Sequence, residues 1–200
     1  PDTKHVPMAE SYRGSVSCQG PRACYDESKR VGETLCYIFH QTNGTHTNTI
    51  RPFNVFGPGM QENDYRVLPN FASRVKGGQP LQVYGSGKQT RTFCYITDAI
   101  LGFLLVVLRG VAGEAYNIGN PEPEISMLEL VNEIKKVSDK EVNYNVIEYP
   151  DSYPADEPNR RAPDIRKARL QLNYHPEVSL QEGLERFFSW TDGMYTGSQN

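Results

Sequence analysis

Apolar residues recur every three or four positions in several long segments of this chain, and between those segments lie short runs rich in β-branched and aromatic residues, with glycine or proline at nearly every change. That alternation fits helices packed on strands, an α/β or α+β class. Val31, Leu35, Ile38 and Phe39 set a helix over 25–41, and Asn43-Gly44 stops it. A strand is expected from Thr45 to Phe53, running into the breaker Gly57-Pro58-Gly59. A helix carrying Val67, Leu68, Phe71 and Val75 ends at Gly77-Gly78 and leads to a strand over Leu81 to Tyr84. The spacing then predicts a strand from Arg91 to Ile96, a helix over 99–109 capped by Asp98, and a strand from Ala115 to Ile118. Ser126 and Glu129 make a capping box for a helix bearing Leu130, Val131, Ile134 and Val137, and Val142 to Tyr149 reads as a strand. Four prolines between Pro150 and Pro163 mark an extended segment. A short basic helix over Ile165 to Leu172 follows, then a last helix, capped by Ser179 and Glu182, whose Leu180, Leu184, Phe187 and Phe188 face a core.

Composition narrows the function classes. The chain has 200 residues, enough for one ordinary domain or two small ones. Lys+Arg 21 against Asp+Glu 24 leaves a net charge of −3 with the signs interspersed, so no footprint for nucleic acid or an anionic membrane appears. The longest apolar stretch, Ala99 to Leu108, is interrupted by Gly102 and is about half the ~20 residues needed to cross a bilayer. The four cysteines, Cys18, Cys24, Cys36 and Cys94, lack CxxC spacing and read as reduced thiols, with no metal site expected.

Tyr25 and Lys29 stand at i and i+4 near the start of the first helix, so both project from one face. A phenol titrates near pH 10 in water, and a cation held beside it favours the phenolate, so such a pair can act as a general base closer to neutrality. The same spacing also suits a tyrosine packed over a solvated lysine.

The segment Gly20-Pro21-Arg22-Ala23-Cys24-Tyr25-Asp26-Glu27-Ser28-Lys29-Arg30 resembles the active-site helix of the extended short-chain dehydrogenase/reductase family, and within it the UDP-glucuronate decarboxylase branch. The resemblance continues through Arg51-Pro52-Phe53-Asn54-Val55-Phe56-Gly57-Pro58, Leu81-Gln82-Val83-Tyr84-Gly85-Ser86-Gly87, Gln89-Thr90-Arg91-Thr92-Phe93, Tyr116-Asn117-Ile118-Gly119-Asn120-Pro121 and Pro163-Asp164-Ile165-Arg166-Lys167-Ala168. It departs at Arg13 and Gly59, where these decarboxylases carry Trp and Arg.

The resemblance implies an α/β chain: the C-terminal part of an NAD(P)-binding Rossmann-like fold plus a small α/β substrate-binding subdomain. Residues 1–60 would be the Rossmann remnant with the Tyr-x-x-x-Lys helix, and 61–200 mainly the sugar-nucleotide subdomain, with segments near 82–120 returning to the Rossmann sheet. It implies NAD as a recycled cofactor, a UDP-sugar substrate, and C4 oxidation, decarboxylation and re-reduction to UDP-xylose; 4,6-dehydratase and 4-epimerase chemistry use the same pair. Tyr25 would take the proton from the sugar 4-hydroxyl, and Lys29 would lower the phenol's pKa and bind the nicotinamide ribose. Asn54 and Val55 would pass the nicotinamide, with the Asn54 amide on the sugar diphosphate; alternatively Asn54 satisfies its own turn. Arg91 and Arg161 would clamp the diphosphate with guanidinium forks, and Arg66, Gln82 and Tyr84 would surround the nucleotide.

Such enzymes pair through the Tyr/Lys helix, so a homodimer is expected, with Leu35, Ile38 and Phe39 either at that contact or in an internal core. The family's glycine-rich phosphate loop, G-x-x-G-x-x-G, occurs nowhere in the chain, and residue 1 is Pro. The expectation is a cut within an enzyme, with the cofactor half absent and the 200 residues inactive alone, a binding or dimerisation module being the other class of reading. A cytoplasmic location is expected, or the Golgi lumen if an anchor precedes the cut.

Overall fold

The computed structural model describes residues 5–14, 17–20, 23–150 and 158–198. Pro21 and Arg22 of the motif before Tyr25, and most of the proline-bearing segment after Pro150, lie outside the described residues.

The apolar stripe of the first helix forms α1 (Ala23–Asn43), and Gly44 closes it in a left-handed conformation, φ 65°, its N–H donating to the His40 carbonyl at 3.0 Å. β1 (Thr49–Pro52) is shorter than the spacing suggested. Its upstream residues are drawn into other contacts: the Thr47 hydroxyl donates to the Cys36 carbonyl, the Gly113 N–H to the Thr47 carbonyl, and the Asn48 amide to the Val111 carbonyl. After β2 (Val55–Phe56) come α2 (Val67–Lys76) and β3 (Leu81–Tyr84), close to expectation.

The strand expected from Arg91 to Ile96 is instead two short ones, β4 (Thr90–Arg91) and β5 (Cys94–Tyr95). The division is a change of partner: β4 lies between β7 (Ile125–Ser126) and β9 (Arg160–Arg161), whereas β5 runs parallel to β2. Helix α3 (Ile96–Arg109) starts directly from β5 with Tyr95 as its N-cap and no side-chain cap. Asp98 is therefore not the cap. It is buried in the first turn, its Oδ2 accepting the N–H groups of Glu177 and Val178 at 3.1 and 2.9 Å.

β6 (Ala115–Ile118) pairs in parallel with β1, and β8 (Tyr144–Ile147) with β3. Helix α4 (Met127–Val137) carries the expected reciprocal capping box: the Ser126 hydroxyl accepts the Glu129 N–H at 3.2 Å, and the Glu129 carboxylate accepts the Ser126 N–H at 2.7 Å. α5 (Arg166–Leu172) and α6 (Leu180–Met194), the latter capped by Ser179, complete the chain.

Two apolar clusters interleave along the sequence. The larger joins α2, α4 and α6 to β3 and β5, with Phe56 meeting Phe93, Tyr95 and Phe187 edge-on at centroid distances of 6.2, 5.6 and 6.1 Å. Each fully buried Leu or Phe there contributes about 1.5–3 kcal/mol, which outweighs any helical propensity of these short elements. The smaller packs Val106 of α3 and Ala168 and Leu172 of α5 onto Tyr116 and Ile118 of β6. Helix α1 joins neither: it buries no residue, and Leu35, Ile38 and Phe39 stand about half exposed. Among the described residues no helix is long and apolar enough to cross a membrane.

Candidate active site

Tyr25 and Lys29 lie one turn apart on α1, as their spacing requires, with the Lys29 ammonium 5.4 Å from the centroid of the Tyr25 ring. The phenol is 56% exposed, open to a ligand. Because α1 has no buried face, polar contacts fix it to the sheet. Arg51 on β1 grips Glu33 with both arms, Nε to Oε1 at 2.7 Å and Nη2 to Oε2 at 2.5 Å, and its remaining Nη1 donates to the Glu10 carbonyl at 3.0 Å. The Glu33 hydrogen bonds hold the Arg51 guanidinium above its ordinary pKa. Glu10 in turn accepts the Asn117 N–H of β6 at 2.9 Å.

A second group forms where β1 gives way to β2. Asn54 adopts a left-handed backbone, φ 42°, and its amide donates to the Thr92 carbonyl at 2.7 Å. Val55 begins β2 opposite Cys94. Arg91 and Arg161 are register partners on β4 and β9, which places them side by side on one face. Arg91 is 8% exposed and donates to the Thr90 and Asn159 carbonyls; Arg161 lies 5.7 Å over the Phe53 ring. Arg160, one residue away, is claimed by Glu124, which accepts from its Nε and Nη2 at 2.9 and 2.7 Å. The hydroxyl of fully buried Thr92, the residue after Arg91, has no hydrogen-bond partner among the described residues. Two guanidinium groups side by side are a donor set suited to phosphate oxygens.

Gln82 and Tyr84 share the half-buried face of β3, opposite inward Leu81 and Val83, and the Tyr84 ring lies 5.7 Å from that of Tyr149. Arg66 stands apart as the N-cap of α2, exposed and held by Asp64 through Nε at 2.8 Å and Nη2 at 2.5 Å. Asn54, Arg91 and Arg161 are thus brought together, whereas no hydrogen bond or ion pair joins Tyr25, Lys29 or Arg66 to them. Arg51, Glu33 and Thr92 were assigned no role from the sequence, although Arg51 and Thr92 fall inside the quoted motifs and Glu33 lies one turn beyond Lys29.

The exposed Tyr25 hydroxyl and the Lys29 ammonium, which enters no ion pair among the described residues, fit the nicotinamide-ribose end of a dinucleotide. Among the described residues no glycine-rich strand-to-helix turn offers a cradle for its diphosphate. No group of three or more His, Cys, Asp or Glu able to hold a metal ion occurs among the described residues.

The chain is 43% identical over 187 residues to UDP-glucuronic acid decarboxylase 1 of Xenopus tropicalis and 42% identical over 188 residues to UDP-glucuronic acid decarboxylase 1 of Arabidopsis thaliana, covering 92% and 94% of itself. It spans 42% of the length of each relative. Among solved structures, UDP-glucuronic acid 4-epimerase from Bacillus cereus in complex with UDP-glucuronic acid and NAD superposes with a TM-score of 0.78 at 31% identity, over 97% of this chain and 60% of that one. Residues 1–119 match the sequence profile described as the NAD dependent epimerase/dehydratase family, and the chain belongs to that family.

Proposed function

We propose that the protein to which this chain belongs is a UDP-glucuronate decarboxylase that forms UDP-xylose, and that Tyr25 is its general base. The observation that carries the reading is the Tyr25–Lys29 pair, exposed on one face of α1 with the ammonium against the ring, in a chain 42–43% identical to decarboxylases over nearly its whole length. NAD, when bound, supplies the acceptor and donor of the C4 hydride. Tyr25 takes the proton of the sugar 4-hydroxyl and returns it at the end of the cycle, and Lys29 holds the ribose and favours the phenolate. Oxidation comes first because a 4-keto group lies β to the C5 carboxylate and gives the electrons of the breaking C–C bond an enolate to enter; the enolate takes up one proton from water at C5 before the hydride returns to C4. In this reading Arg91, Arg161 and Asn54 bind the diphosphate, Gln82, Tyr84 and Arg66 surround the nucleotide, and Val55 passes the nicotinamide. Leu35, Ile38 and Phe39, exposed in this chain, suit either self-association through α1 or burial against the rest of the protein.

The test supplies UDP-glucuronate to the complete protein and follows carbon dioxide and UDP-xylose. Formation of UDP-galacturonate without carbon dioxide favours 4-epimerase chemistry, the activity named for the solved Bacillus cereus structure. Tyr25→Phe is expected to lower turnover by about 10²–10⁴-fold, the usual contribution of a positioned acid–base group, and a loss below about tenfold removes Tyr25 from that role. If the 200 residues instead serve as a binding module, calorimetry on them gives UDP binding without NAD binding, and clear NAD binding rules that reading out.

A further inference from the structure

Two carboxylates sit within one helical turn of Lys29, Asp26 at i−3 and Glu33 at i+4, yet Lys29 enters no ion pair among the described residues and its ammonium rests against Tyr25. The reason for Glu33 is explicit. Both of its oxygens are occupied by Arg51, at 2.7 and 2.5 Å, and Arg51 is itself anchored to the sheet through the Glu10 carbonyl at 3.0 Å. Asp26 is engaged as well, and Glu27 on the neighbouring face is paired with Arg30 at 3.4 Å. The carboxylates of this helix region are thus matched to partners other than Lys29.

We propose that Arg51 is a positioning residue for the Tyr25–Lys29 pair: by holding both oxygens of Glu33 from the β1 strand, it denies Lys29 the carboxylate one turn away and leaves the ammonium over the phenol. The inference rests on the roles given above to Tyr25 and Lys29. A planar guanidinium meets a carboxylate at two points, whereas an ammonium meets it as a point charge, so Glu33 stays with Arg51 while Arg51 is present. Without Arg51, the freed carboxylate competes with the Tyr25 ring for Lys29. At an exposed site the two contacts are of the same order, so about half of the Lys29 population changes partner.

A second-site rescue separates this role from mere packing. In the complete, NAD-loaded protein with lysine labelled at Cε, the Lys29 Hε signal, assigned through Lys29→Arg, carries an upfield ring-current shift from Tyr25. Arg51→Met is expected to remove about half of that shift and to lower kcat several-fold with KM for the UDP-sugar within about twofold. Adding Glu33→Gln to Arg51→Met is expected to restore both, because the competing charge is gone. A double variant as impaired as Arg51→Met, or a Lys29 signal unmoved in Arg51→Met, overturns the proposal. Should Arg51→Met fail to fold, Glu33→Gln alone decides, since a Lys29 signal that moves in it means Glu33 already acts on Lys29 past Arg51. The outcomes are distinguishable from failure of the functional reading: retained turnover in Tyr25→Phe removes the base but leaves the Lys29 signals of the Arg51 and Glu33 variants to be read as before.

Discussion

Asn54 holds its backbone at φ 42° and reaches across to the Thr92 carbonyl at 2.7 Å, so its conformation and its side chain both tie the β1–β2 connection to the loop between β4 and β5. The two contributions separate by substitution. Asn54→Gly keeps the left-handed backbone and loses the amide contact, a cost of about 1 kcal/mol, whereas Asn54→Ala also places a Cβ in an unfavourable region and should cost about 2–3 kcal/mol, both read from urea midpoints. An equal loss for the two would mean that the backbone conformation carries no penalty. The sequence offered a turn-satisfying Asn and a ligand-binding Asn as alternatives; in the structure the amide donates to the Thr92 carbonyl, 38 positions away, rather than within its own turn. Asp98 is the opposite case: its place at the head of a helix suggested a cap, and only the approach of Glu177 and Val178 made it a buried acceptor for a distant loop.

Helix α2 is strapped at both ends by the residues that follow α6. At its start the Tyr195 hydroxyl donates to the Met60 carbonyl at 2.8 Å, and Glu62 accepts from the N–H groups of Thr196 and Gly197 and the hydroxyls of Thr196 and Ser73 at 2.6–3.0 Å. At its end Gly197, φ 79°, lies so close to Gly77 that a Cβ on it would stand 2.6 Å from the Gly77 nitrogen. Glu62→Gln preserves the shape but turns an amide N–H2 toward these donors, so a loss of about 1.5–3 kcal/mol and faster hydrogen exchange at Thr196 and Gly197 are expected. Unchanged exchange there would show that the glycine contact suffices. The amphipathic helices and the Ser126 capping box were legible because their signals lie within a turn of sequence. The two-residue strands β7 and β9 and the division between β4 and β5 were not, since a strand that short is defined by its neighbour.

For the whole molecule, the charged groups imply stability limits at both ends of the pH scale. Burial acts to raise the Glu62 and Asp64 carboxyls, but the donors around Glu62 and the Arg66 guanidinium on Asp64 outweigh it; the guanidinium groups of Arg160 and Arg166 lower Glu124 and Asp164. A carboxyl lowered by folding stabilises above its unfolded value, so this contribution is present above about pH 4.5 and is lost as pH falls through the native values. Burial pushes the Cys94 thiol from 9.0 up to about 11 and the Tyr195 phenol from 10.0 up to about 12. Those contributions are complete below about pH 9 and are lost as pH rises through the native values. Urea midpoints should form a plateau between these limits, and Cys94→Ala should flatten the alkaline limb, which Cys94 steepens by on the order of 2 kcal/mol; an alkaline limb unchanged in that variant would exclude the thiol.

The sequence by itself determined the alternation of helix and strand, the apolar faces of α2, α4 and α6, and the Tyr25–Lys29 pair, because each depends on residues within a turn or two of one another. Tertiary structure alone decided that Asp98 accepts from Glu177 and Val178, that Arg91 lies beside Arg161, and that Arg51 takes Glu33. These are meetings between distant segments, set by which surfaces bury against each other, and no local periodicity encodes them.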